Sequence, residues 1–215
     1  MTPETRVGDE EAPRDAAEML ELIQSQQDRV TRSLARYVPW ILLAWGLAWS
    51  VGFGMLWLID GAKPAISIPL PVAVVVFIAL MIAAILASAV LGARSQRGIR
   101  TSPESAFTGT VFGLTWMIGF LALVAFGTAL IVNGMPRELA NIFYPTGSVL
   151  FVGIMYILAA AIWQARPTLW MGLWIVAVAL VAPYFGYPTH YLVFAIGGGG
   201  GFLVGALVVW LWVRR

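Results

Sequence analysis

From residue 39 onward the apolar residues run in six long stretches: Pro39 to Ile59, Pro69 to Gly92, Phe107 to Val132, Pro145 to Trp163, Thr168 to Phe185 and Tyr191 to Trp212. No Asp, Glu, Lys, Arg or His falls inside any of them. A helix crossing the hydrocarbon core needs roughly 20 apolar residues. Each stretch is long enough, the fifth with the least margin. In lipid the backbone must satisfy its own hydrogen bonds, which leaves helices or a closed barrel. The short alternating strands of a barrel are missing from the pattern. The sequence therefore predicts an all-α integral membrane bundle of six transmembrane helices over residues 39–215.

Upstream the pattern changes. Residues 1–13 carry Pro3, Gly8, Pro13 and several charges, and read as a disordered tail. Over residues 14–38 the pattern is helical and amphipathic. Leu20, Ile23, Gln27, Val30, Leu34 and Tyr37 recur at alternating steps of three and four, an apolar seam with one polar member. Through residues 14–37 such a helix can pair with its own copy to give a homo-oligomer, dock on a partner protein, or lie on the membrane surface.

Composition sharpens this reading. Of the 215 residues, 60% are hydrophobic and 11% charged, too few charges to cover a water-soluble surface. The bilayer is the first partner implied. A net charge of +2 gives no case for nucleic acid. With no Cys and one His, disulfides, thiolate metal sites and a His-based metal cluster within one chain are excluded. The acidic residues Asp9, Glu10 and Glu11 and the missing apolar core do not suit a cleaved signal, so the first span is expected to act as its own anchor. Arg29, Arg32, Arg36, Arg94, Arg97, Arg100, Arg166, Arg214 and Arg215 lie on one side of the predicted spans, against Lys63 and Arg137 on the other. Nine against two predicts both termini in the cytoplasm of a cell membrane.

The spans also echo one another as three tandem two-helix hairpins. Pro71, Pro145 and Pro188 stand at the predicted outer entrances of the even spans, followed six residues on by Phe77, Phe151 and Phe194. Tyr144-Pro145-Thr146 matches Tyr187-Pro188-Thr189. In the odd spans, residues 46–53 match residues 113–120 at five of eight positions, and the fifth span offers Gly172-Leu173-Trp174. Shared composition is the competing explanation; the matching order of the three sets favours a repeat.

Two features carry the candidate site. Trp45, Trp49, Trp116 and Trp174 lie deep in their spans, where an aromatic belt does not explain them. They can line a cavity for a hydrophobic or cationic solute, or simply pack helices and meet lipid. Gly197, Gly198, Gly199, Gly200 and Gly201 form an uninterrupted run in the sixth span. Such a run softens or breaks a helix, as at transporter substrate sites, or lets a neighbouring span approach closely. Asp60, Lys63, Arg137, Glu138 and His190 are expected at the outer face, as a binding rim or, more simply, as solvated loop positions. No catalytic residue, cofactor site or metal site emerges. The spans hold no ionisable acid or base, so the expectation is a protein that is not an enzyme.

The Arg-rich segment followed by Ala44-Trp45-Gly46-Leu47-Ala48-Trp49 and Gly52-Phe53-Gly54 resembles a group of uncharacterised small multi-pass bacterial membrane proteins, some of them labelled transporters. The resemblance covers mainly residues 14–60. It implies a cytoplasmic-membrane location and assigns no functional residue. Two functions fit the whole chain. One is a small permease-like protein moving or binding a hydrophobic or weakly polar solute. The other is a non-transporting accessory or scaffold subunit that docks a partner through its N-terminal helix.

Overall fold

The computed structural model describes residues 19–26, 36–95 and 102–214. Six helices dominate it: α1 (Val38–Trp57), α2 (Leu70–Ser95), α3 (Pro103–Val132), α4 (Arg137–Trp163), α5 (Arg166–Phe185, whose last turn from Ala182 is a 3₁₀ helix) and α6 (Thr189–Arg214). All six are long and apolar enough to cross a bilayer, and the described residues contain no strand. The chain is an all-α, multi-pass membrane protein. Residues 19–26 are helical, with Leu20 and Ile23 exposed. The tail predicted over 1–13 and the rest of the seam, with Gln27, Val30 and Leu34, lie outside the described residues.

Two helices begin earlier than the apolar pattern suggests, each for a local reason. α3 starts at Pro103 because the Ser102 hydroxyl accepts the Ser105 amide at 3.2 Å. Pro103 suits the first turn, and Glu104 sits near the positive end of the helix dipole. α4 starts at Arg137, so Pro145 lies inside the helix instead of at its entrance. Pro71 and Pro188 do stand at the entrances of α2 and α6. A proline inside a helix offers no N–H to the carbonyl four residues back. Here that carbonyl belongs to Asn141, and α6 takes it over. His190 Nε2 lies 3.0 Å from it, and the Tyr191 hydroxyl donates to it at 3.4 Å.

The helices pack in the spatial order α2, α1, α6, α5, α4, α3. The core is built by α1, α4, α5 and α6, around Trp49, Val149, Ile175, Phe194 and Phe202. α2 and α3 form the two flanks and do not pack on each other. α2 buries only Ala73 and Ala84, and α3 only Gly127. Lipid tails are as apolar as the side chains, so packing and interhelical hydrogen bonds must hold the bundle together. Close backbone approach serves that end where α4 meets α5. A Cβ on Gly172 would lie 2.8 Å from the Ile157 amide nitrogen and 2.9 Å from the Gly153 carbonyl oxygen.

One contact occurs twice, at positions the sequence matches. In the α1–α2 hairpin a Cβ on Gly52 would meet the Phe77 ring at 2.9 Å, and Phe53 pairs with Phe77 at 5.2 Å between centroids. In the α3–α4 hairpin a Cβ on Gly119 would collide with the Phe151 ring, and Phe120 pairs with Phe151 at 5.2 Å. The Gly-Phe pairs of α1 and α3 thus seat the Phe of the following even span.

Candidate functional site

The glycine run lies where α6 departs from regular geometry. Over Phe194–Gly199 the helix widens to a π helix, and regular α geometry resumes at Gly200. Residues 197–201 are eight to twelve residues from the start of α6, about 12–18 Å along the axis. That is close to the middle of a hydrocarbon layer about 30 Å thick. Five glycines in a row cost up to about 1 kcal/mol each in helix propensity relative to Ala, so this is the softest part of α6. π turns often mark functional positions.

Neighbours grip the segment from two sides. From α1, Trp49 covers Gly198, where a Cβ would lie 2.6 Å from the indole. A Cβ on Gly199 would run into Ser50, 2.6 Å from its amide nitrogen. From α5, Val178 stands 3.2 Å from the Cβ position of Gly197, and the Trp174 indole occupies the space over Gly201. Only Gly200 has nothing within 4 Å. Two side chains also donate to carbonyls of the widened turn. Ser50 Oγ donates to the Ala195 carbonyl at 3.2 Å, and Trp174 Nε1 donates to the Gly197 carbonyl at 2.8 Å. The glycine run is therefore both a close-packing surface and an irregular helix segment, two readings the sequence leaves open.

The four tryptophans divide. Trp49 is 3% exposed and packs edge-on to Phe53 and Phe202, at 5.6 and 5.1 Å. Trp174 reaches the same glycine segment from the opposite side while remaining 50% exposed. The other two lie elsewhere. Trp45 donates from Nε1 to Ser88 Oγ on α2 at 2.9 Å. Trp116 belongs to a separate aromatic group with Phe112, Phe120 and Phe151 on α3 and α4. Trp45 and Trp49 are one turn apart, yet α1 lies between α2 and α6, and each ring goes to a different neighbour.

A second polar cluster closes the end of the bundle away from Val38 and Arg214. His190, expected as a rim residue, is fully buried. Its Nδ1 lies 3.2 Å from the Gly186 carbonyl and its Nε2 3.0 Å from the Asn141 carbonyl. Both partners only accept. A neutral imidazole carries one N–H and bonds one of them; the imidazolium bonds both. The His190 ring lies 4.0 Å from that of Tyr191 and 6.1 Å from that of Tyr187. The Tyr187 hydroxyl donates to Asp60, which also holds Lys63 at 2.6 Å. The Lys63 and Tyr187 hydrogen bonds hold the Asp60 carboxyl below its ordinary value. Burial, and then the bond to Asp60, push the Tyr187 phenol upward. Arg137 and Glu138 are exposed on the first turn of α4. Pro145, four residues after Asn141, leaves that carbonyl free, but nothing in the sequence joins it to His190.

Among the described residues no group of three or more His, Cys, Asp or Glu is placed to hold a metal ion. No protein-family model, curated protein or solved structure matches this chain.

Proposed function

We propose that this protein is a small permease-like carrier of the cytoplasmic membrane, with both termini inside, that moves a hydrophobic or weakly polar solute. One observation carries the reading: a π-helical glycine segment midway along α6, gripped by α1 and α5 and hydrogen-bonded by Ser50 and Trp174. A segment with little intrinsic helix propensity can change its winding without breaking a packed apolar core. Discontinuous helices near the bilayer midplane form the solute sites of many transporters. Trp49 and Trp174 supply ring faces on the two sides, and no buried carboxylate is needed for a solute without strong charge. The nine-to-two distribution of basic residues supports the orientation.

Ser50→Ala and Trp174→Phe together remove both donors while keeping a small residue at 50 and an aromatic ring at 174. Cells expressing the wild type, this double variant or no copy are compared for accumulation of a panel of lipophilic dyes, at equal membrane expression. The wild type is expected to change accumulation of at least one dye, with the double variant shifted toward the empty cells. A wild type and double variant that act alike on every affected dye would remove the glycine segment from the function.

The runner-up reading is an accessory subunit. The exposed lengths of α2 and α3, together with exposed Leu20 and Ile23, favour it. It predicts a protein that co-purifies in detergent and is lost on deletion of residues 1–37, with no dye affected.

A further inference from the structure

Three hairpins, α1–α2, α3–α4 and α5–α6, can join through three seams. In each, the even helix of one hairpin meets the odd helix of another. Two seams are made: α6 packs on α1, and α4 packs on α5. The third, α2 against α3, is not made.

The matched glycines of the odd helices show what is missing. A Cβ on Gly46 in α1 would lie 2.7 Å from the Leu203 side chain of α6. A Cβ on Gly172 in α5 would lie 2.8 Å from Ile157 of α4. The corresponding glycine of α3 is Gly113, and nothing lies within 4 Å of its Cβ position. Counted from the matched prolines, Leu203 is fifteen residues past Pro188 and Ile157 twelve past Pro145, one turn apart on one helix face. The same counts from Pro71 in α2 reach Leu86 and Ala83. Both are exposed, Leu86 at 58%. Depth agrees as well. Leu86 is nine residues from the end of α2 and Gly113 ten from the start of α3, about 14 and 15 Å from the same side of the bundle. Ser95 and Pro103 are eight residues apart, so these helix ends lie within about 28 Å of each other.

We propose that the α2–α3 seam is a lateral gate: the structure is the open form, and in the closed form the Leu86 face of α2 seats on Gly113 of α3. The occupant of the exposed Gly113 face is thus α2 of the same chain. Two seams of the same design, already closed in the same chain, place the contact within the Ala83–Leu86 turn of α2. Lipid chains fill the opening while it stands apart. The inference goes beyond the transport reading and stands on packing alone, whether or not a solute moves.

The chain has no cysteine, so an introduced pair reports without background. Leu86→Cys with Gly113→Cys is oxidised in native membranes, beside Gly46→Cys with Leu203→Cys as the closed-seam control. Leu86→Cys with Val132→Cys, at the opposite end of α3, serves as the control for random collision. Joined peptides are identified by mass spectrometry, and gels separate links within a chain from links between chains. Leu86→Cys with Met117→Cys, one turn along α3, is a second test pair. Leu86, Gly113 and Met117 are all exposed, so the test substitutions disturb no packed contact. Links within one chain for either test pair, approaching the yield of the closed-seam control and well above the collision control, are the expected result. Yields at the collision level for both pairs would overturn the gate. Links found only between chains would also overturn it, and would assign the face to a second copy.

Discussion

α1 and α3 share five residues of an eight-residue stretch and live in different surroundings. Gly46, Leu47, Trp49, Gly52 and Phe53 recur as Gly113, Leu114, Trp116, Gly119 and Phe120. The shared Gly-Phe pair performs the same task in both, seating Phe77 of α2 or Phe151 of α4. Beyond the hairpin the two part. α6 covers α1, so Trp49 is buried and Gly46 meets Leu203; no helix covers the matching face of α3. One substitution within the motif reflects this. Ser50, small enough for the Gly199 backbone to approach and able to donate to Ala195, becomes Met117, which is exposed. The retained positions build the hairpin. The changed ones record which neighbour the helix meets.

The largest test of that division is truncation of the shared indole. In lipid the transfer contribution is small, so loss comes from the cavity and the ring contacts. Trp49→Ala should cost about 3 kcal/mol, the low end for a buried aromatic. Trp116→Ala, half-buried on a flank, should cost less than half of that. Unfolding of the detergent-solubilised protein in increasing dodecyl sulfate measures both. Equal losses would mean that α3 is covered as α1 is.

Exchanging the position that differs is the next test. Ser50→Met overfills the α1–α6 contact and should cost about 2 kcal/mol, within the range for overpacking. Met117→Ser removes a lipid-facing side chain and should stay within about 0.5 kcal/mol of the wild type, as for other exposed changes. A smaller effect follows from the matched glycines. Gly113→Ala gains helix propensity in open space and should stabilise by about 0.5–1 kcal/mol. Gly46→Ala must push Leu203 aside and should destabilise. A Gly113→Ala protein less stable than wild type would show that the α2–α3 seam is already closed in the measured state.

Much of the fold is legible in the sequence, because a helix that crosses lipid must be apolar along its whole length, whichever way its faces point. The six spans follow from that alone. Their ends do not. Polar caps such as Ser102-Pro103-Glu104, and the amphipathic turns from Arg137, carry α3 and α4 past the apolar stretches. The site is half legible. Trp49, Trp174 and the glycine run come together, while Trp45 and Trp116 do not, because spacing along one helix cannot say which of two neighbours a ring will meet. His190 was hidden for a related reason. Its acceptor is a backbone carbonyl freed by Pro145 in another helix, and backbone acceptors leave no trace in side-chain patterns.

The smallest expected effect lies at the loop joining α1 to α2, which has no matched contact in the α3–α4 hairpin. Asp60 ties this loop to Tyr187 and to Lys63. Its carboxyl is depressed in the folded state, so the tie is at full strength above the ordinary carboxylate value of 3.8 and is lost as pH falls below it. The Tyr187 phenol is raised, so its share persists below the ordinary value of 10.0 and is lost as pH rises beyond it. Between those limits neither Asp60 nor Tyr187 changes charge. Hydrogen exchange of the 58–69 amides should therefore be flat from pH 7 to 9 once corrected for intrinsic rates. Tyr187→Phe keeps the ring beside His190 and Tyr191 but removes the hydroxyl. It should raise exchange in 58–69 slightly and evenly across that range, and carboxylate NMR should find the Asp60 titration closer to 3.8 than in the wild type. An Asp60 titration unmoved by the substitution would leave Lys63 as the whole cause of the shift, and would free the loop from the turn between α5 and α6.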